Sequence, residues 1–158
     1  MLTPSERQYC ISRIKSVPER LRSAIINLND DQLNTPYRDG GWTVRQVVHH
    51  LADSHLNAHA RTRLALTEDN PTIKPYDQDA WALLADYALP LESSLAIIDG
   101  LHFRWGVLWE SLPEGAYLRT LHHPDNGSMT LDDLLRSYAD HGDNHIKQIT
   151  DLRGRKGW

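Results

Sequence analysis

Between Thr130 and Arg153 the apolar residues Leu131, Leu134, Leu135, Tyr138, Ile149 and Leu152 recur at the helical period, and His141 and His145 fall inside the same stripe. This feature constrains the fold more than any other. A long helix with one apolar face must bury that face, and two adjacent turns of it are imidazole. Each ring would lose solvent and would have to satisfy two nitrogens. They are either hydrogen-bonded core histidines, the wall of a wet pocket, or two ligands of a metal. An i, i+4 pair presents both nitrogens on one side of a helix, as the zinc-binding HExxH motif does. The intervening residues are Gly142, Asp143 and Asn144, with no Glu, so this is not that protease motif. Two ligands make a poor site, and a third must come from another helix.

The rest of the chain is also helical in pattern, with weak strand signals throughout. A first helical region covers Thr3 to Leu28 and is interrupted near Pro18. "NTPYRDGGWT" reads as a loop. Thr43 and Gln46 form a capping-box pattern that opens a second helix reaching Thr67. After the loop "EDNPTIKPYD" come a short helix near Asp77 to Tyr87 and a longer one from Pro90 to Ser111. "LPEGAYLRTLHHPDNGSM" is irregular. Thr130 caps the last helix, with Asp132 and Asp133 in its first turn, and that helix ends at Arg153 before Gly154. Four long helices with long intervals predict a single all-α domain over residues 1–158. The expected architecture is a four-helix bundle with a crossover connection and an extra short helix.

Charge and composition narrow the function. A net charge of -4, with Lys and Arg dispersed apart from the terminal "RGRKGW", argues against a nucleic-acid partner. No apolar run is long enough to cross a bilayer, and "MLTPSERQYC" is too polar for a signal peptide, so the expected location is the cytoplasm. The single cysteine, Cys10, excludes an internal disulfide and any multi-cysteine zinc module, and reads as a packed small residue. Nine histidines in 158 residues, internal and clustered, are the feature left to explain.

Four more of them lie in the second helix, in "VRQVVHHLADSHLNAHAR". Its apolar face is Val44, Val47, Val48, Leu51, Ala58 and Ala65. His55 lies near the centre of that face, His59 to one side, His50 at its border, and His49 further round. Periodicity alone nominates His55 as the third ligand. His55 and His59 also form a second HxxxH pair. Trp42, Trp105 and Trp109 read as core packing. His122 and His123 sit in a loop that could line a pocket mouth, and Arg38 and Lys74 read first as solvated loop residues.

Across nearly the whole chain, "TPYRDGGWTVRQVVHHLADSH", "LTEDNPTIKPYD", "HPDNG" and "HGDNHIKQI" resemble, in order, the YfiT-type branch of the DinB-like superfamily. Its members are described as metal-dependent hydrolases, and related proteins act as bacillithiol S-transferases. The resemblance implies a four-helix bundle in which one histidine of the second helix joins two of the last around zinc or nickel. In the family pattern that histidine directly precedes an apolar residue and "AD". Here it is His50, before Leu51, Ala52 and Asp53; His141 and His145 complete the set. His55 then belongs to the core or beside the ligands, with Asp53 and Asn57 as further residues that could orient a ligand or water. Three imidazoles leave open coordination positions, the mark of a catalytic metal. The implied activity is hydrolysis of a small molecule by metal-activated water. Its alternatives are transfer of a small thiol, or metal binding without turnover in a stress response. A homodimer is implied by resemblance alone.

Overall fold

The computed structural model describes all 158 residues. Four long helices build it: α1 (Pro4–Ile25), α3 (Val44–Thr67), α5 (Glu92–Glu110) and α6 (Leu131–Lys156). Two short ones, α2 (Asp30–Leu33) and α4 (Gln78–Trp81), lie in the connections. α1 packs against α5 and α6, and α3 packs against the same two. Going round the bundle the order is therefore α1, α5, α3, α6. The steps from α1 to α3 and from α5 to α6 both cross a diagonal, while α3 to α5 joins neighbours. Two crossovers explain the long connections.

Capping chemistry sets the helix starts. Thr3, Thr43 and Thr130 each accept from the backbone N–H three residues on, with Glu6, Gln46 and Asp133 reaching back to the cap. At the far end α6 runs on through Gly154, and Gly157 closes it with φ +70, a left-handed conformation that favours glycine. The expected end at Arg153 is three residues early, because glycine inside a last turn costs only about 1 kcal/mol.

Several connections differ from the sequence reading. The short helix expected over Asp77 to Tyr87 is a single turn, α4, followed by a 3₁₀ turn at Ala85–Ala88. The stretch read as irregular holds a 3₁₀ turn at Glu114–Leu118 and an antiparallel hairpin, β1 (Thr120–His123) with β2 (Gly127–Thr130). Ile73 donates its backbone N–H to the His122 carbonyl, and His122 donates to Pro71. The loop before α4 is thereby stitched to the hairpin.

The first helix ends at Ile25 and is not interrupted at Pro18. Proline in a helix interior leaves the carbonyl four residues back without its donor. That carbonyl belongs to Ile14, and it accepts instead from His102 Nδ1 of α5 at 2.7 Å. An inter-helix hydrogen bond replaces the missing intra-helix one, so the helix continues.

The core follows the predicted stripes. Val17 and Leu21 of α1 meet Leu51 of α3, Ile98 of α5 and Ile149 of α6, all essentially sealed from solvent. Burying each such side chain contributes about 1.5–3 kcal/mol. Trp105 and Trp109 are fully buried on α5, and Cys10 is packed in the same core region. Arg13 and Arg20 of α1 reach Asp143 of α6, and Arg13 also reaches Asp140.

Gly142 of α6, one residue after His141, faces Val17 of α1 at close range. A Cβ there would lie 2.9 Å from Val17 Cγ2 and 3.5 Å from His55 Cε1. Gly142→Ala should therefore destabilise the protein by about 1–2 kcal/mol in urea unfolding, overpacking outweighing the roughly 1 kcal/mol gain in helix propensity. Val17→Ala in the same chain should recover part of the loss; a stabilised Gly142→Ala protein would contradict the close approach.

Candidate metal centre

His50 of α3 and His141 and His145 of α6 converge, with one ring nitrogen from each lying within 4.8 Å of the others. The His141 Nε2 is 3.2 Å from the Nε2 of His50 and 3.2 Å from that of His145. Pyridine-type nitrogens face one another at this distance only with a proton or a cation between them. Trp42 covers the group, its ring 4.6 Å from that of His50 and parallel to that of His145 at 6.3 Å. Its position beside the imidazoles goes beyond the packing role read from the sequence.

The proton positions follow from the partners. A carbonyl can only accept, so the His102 nitrogen against Ile14 is Nδ1–H, and its Nε2 is bare. His55 Nδ1 lies 2.9 Å from that bare nitrogen and must donate to it. His55 Nε2 is then the acceptor for His141 Nδ1 at 3.1 Å. With Nδ1 protonated, His141 presents an unprotonated Nε2 to the centre. Three neutral imidazoles in line thus fix the tautomer of the fourth group in the chain from a backbone carbonyl on α1. His145 is held locally, since its Nδ1 meets Gln148 Oε1 at 2.8 Å one turn on, which again leaves Nε2 bare. His50 differs, because its Nδ1 is buried without a partner.

Burial keeps these rings uncharged. It lowers the pKa of His50 to about 3, with the neighbouring His145 adding to the effect. It lowers His141 to about 2, helped by His145 and His50, and His102 to about 4 against the opposing pull of the Ile14 carbonyl. His55, with no exposure to solvent, is shifted down too, by burial first and then by the surrounding histidines. Neutral imidazoles with free Nε2 lone pairs are the form that binds a metal.

The remaining candidates fall elsewhere. His49 is fully used in structure: its Nε2 donates to the Leu89 carbonyl at 3.1 Å and its Nδ1 accepts from Ser94 Oγ at 2.7 Å. His55 does not sit among the three converging nitrogens, despite its central place on the helical wheel; both its nitrogens are taken by His102 and His141. His59 Nε2 accepts from Arg63, so the second HxxxH pair forms no site. Asp53 accepts from Tyr87 Oη at 2.6 Å, and Asn57 donates back to the Asp53 carbonyl, so neither touches the three histidines. His102 was not singled out from sequence; it is a lone histidine on an apolar helix, and only the Pro18-freed carbonyl explains it.

A cavity of about 270 Å³ opens beside the centre. His50 and His141 form one wall, Tyr76 and Arg61 others, and His123 and Asp125 of the hairpin stand at the mouth. His122 points to solvent. Arg38 stacks over Tyr37, away from this cavity, and Lys74 contributes only its carbonyl, to Arg61.

Below pH 6.5 the unfolded chain binds protons that the folded imidazoles refuse, so stability must fall as the pH falls. His50, His102 and His141 should each contribute a loss of about 2 kcal/mol between pH 7 and pH 5. In urea unfolding of chelator-stripped protein, the midpoint should drop steeply over that interval. A flat profile would contradict neutral, buried rings.

Comparison with known proteins identifies the family. Residues 13–149 match the DinB superfamily. A protein of Oceanobacillus iheyensis named "Putative metal-dependent hydrolase" is 51% identical over 148 residues, covering 94% of this chain and 86% of that one. One of Geobacillus kaustophilus with the same name is 51% identical over 156 residues, covering 97% and 87%. Among solved structures, YfiT from Bacillus subtilis superposes with a TM-score of 0.97 at 44% identity, over 100% of this chain and 91% of that one. It is described as "a probable metal-dependent hydrolase with an unusual four-helix bundle topology". A second four-helix bundle protein, TT2238, shares the fold at a TM-score of 0.64 and 20% identity. By the extent of the family match and the identity to these relatives, the chain belongs to the DinB superfamily.

Proposed function

We propose that the protein is a metal-dependent hydrolase of a small molecule, with one zinc or nickel ion held by Nε2 of His50, His141 and His145. The observation that carries this reading is the convergence of three neutral imidazoles, two of which have their Nδ1 protons committed elsewhere so that Nε2 is free. The names of the relatives in Oceanobacillus and Geobacillus, and the description of YfiT, support it. Three histidine ligands suit zinc, nickel, cobalt or copper, with the choice depending on availability. What a divalent metal supplies at an open position is acidification of water to near neutrality, or of a thiol to thiolate.

The chain's own residues prepare that position. His55 and His102 hold the His141 ring in one tautomer and one orientation, and Gln148 does the same for His145. Such partners make a metal ligand both more basic and less mobile. Trp42 shields one side of the centre, so access is from the cavity between α3, α6 and the hairpin. The cavity walls are mostly polar, which suits a polar small molecule.

Elemental analysis of untagged protein should find about one zinc or nickel per chain, lost in a folded His141→Ala, His145→Ala variant. If apo protein takes up neither metal when both are added, the proposal fails. Metal-bearing protein would then be screened against ester, amide and thiol-transfer substrates. Replacing His55 with Phe, which removes the acceptor for His141 Nδ1, should weaken metal affinity about 10–100-fold in a competition titration while the fold persists. Unchanged affinity would show that the histidine chain is only packing.

A further inference from the structure

Three arginines of this protein are buried: Arg7, Arg45 and Arg61. Two have acidic partners. Arg7 pairs with Asp132, and Arg45 with Asp30. Arg61, only 9% exposed, has none. Its two hydrogen bonds go to neutral acceptors, the Tyr138 hydroxyl at 3.1 Å and the Lys74 carbonyl at 3.0 Å. Its Nε–H makes no hydrogen bond within the protein. A guanidinium keeps its charge under all ordinary conditions, so burial without a counter-charge is a standing cost to the fold.

The place of this unpaired charge gives it a purpose. Arg61 lines the same cavity as His50 and His141. Tyr138 stands between the two ends, its hydroxyl against Arg61 and its ring centroid 5.6 Å from that of His141. Arg61 sits on α3, three turns beyond His50, and is pinned at its tip by α6 and the 71–77 loop, so the fork is held in position before any ligand arrives. Asp125, the acidic residue of the cavity lining, is at the mouth, with its side chain 72% exposed.

We infer that Arg61 receives an oxyanionic group, a carboxylate or a phosphate, of the small-molecule substrate while the substrate's reacting group faces the histidine centre. The inference rests on the proposed hydrolase reading for the second half of that statement and on Arg61 alone for the first. The free N–H groups of the fork match the two oxygens of a carboxylate or phosphate. Tyr138 sets the separation between the anion and the reacting group, which selects substrates by length as well as by charge.

The test uses chelator-stripped full-length protein, so that a metal cannot bind the probe. Inorganic phosphate and succinate are titrated calorimetrically, at low ionic strength, into wild type, Arg61→Gln and Arg61→Lys. Wild type should bind at least one of the two saturably, and the stronger one identifies the anion class. Arg61→Gln should weaken that binding by at least about tenfold. In parallel, the Arg61 Nε–H resonance of wild type should shift on saturation, which decides the matter even where a variant fails to fold. Equal binding by wild type and Arg61→Gln, no saturable binding of either anion, or an unmoved Arg61 resonance would each overturn the proposal. Metal content of the same preparations separates the two readings. One metal per chain with no Arg61-dependent anion binding sinks only the anion site; Arg61-dependent binding in a chain that takes up no metal sinks only the hydrolase.

Discussion

Pro18 has no N–H to give, and the carbonyl it leaves free organises the interior of the bundle. Ile14 hands that acceptor to His102 on α5, His102 in turn accepts from His55 on α3, and His55 accepts from His141 on α6. One hydrogen-bonded line thus passes through all four long helices. It has a direction, because its first member is a carbonyl and every later proton position follows from it. Desolvated polar groups are expensive unless satisfied. Here each nitrogen along the line is satisfied, and the one that emerges unprotonated is the one facing His50 and His145.

The topology is what allows such a line. With α1 and α3 on one diagonal and α5 and α6 on the other, every helix touches both members of the opposite pair. A ring on α3 can therefore reach α5 on one side and α6 on the other. An up-and-down arrangement, with sequential helices adjacent, would set α1 and α5 across a diagonal and separate Ile14 from His102. The crossovers also explain the hairpin. The connection from α5 to α6 has to travel across the end of the bundle, and it carries His123 and Asp125 to the cavity mouth before Thr130 caps the last helix.

Much of this was legible in the chain. The apolar stripe of α6, the capping box at Thr43, the cap at Thr130, and the four long helices followed from period and cap chemistry. The wheel placed His55 correctly as buried, but it put His55 and not His50 with the late pair, because a wheel shows which face a residue occupies and not what each ring nitrogen meets. Resemblance to relatives nominated His50, a border position that periodicity gave no reason to choose. The hairpin was missed because its strands are four residues long and polar. Pro18 was read as a break because the residue that compensates for it, His102, lies 88 positions away in sequence and looks ordinary there. Arg61 shows the same limit: its charge is plain in the sequence, but its isolation is visible only in three dimensions.

The separation of the converging histidines along the chain has a mechanical meaning. His50 and His141 are 91 residues apart, and this chain has one cysteine and so no internal disulfide. A metal held as proposed would tie those positions together and close a loop of that length. Unlike a disulfide, such a tie is absent from the unfolded chain, and it stabilises the bundle by binding the folded state in preference to the unfolded one. α6 alone already offers two nitrogens one turn apart, so an opened chain could keep a weak hold on the ion and re-form the loop when α3 returns. The ion would then serve as a removable staple for the bundle as well as the seat of its chemistry.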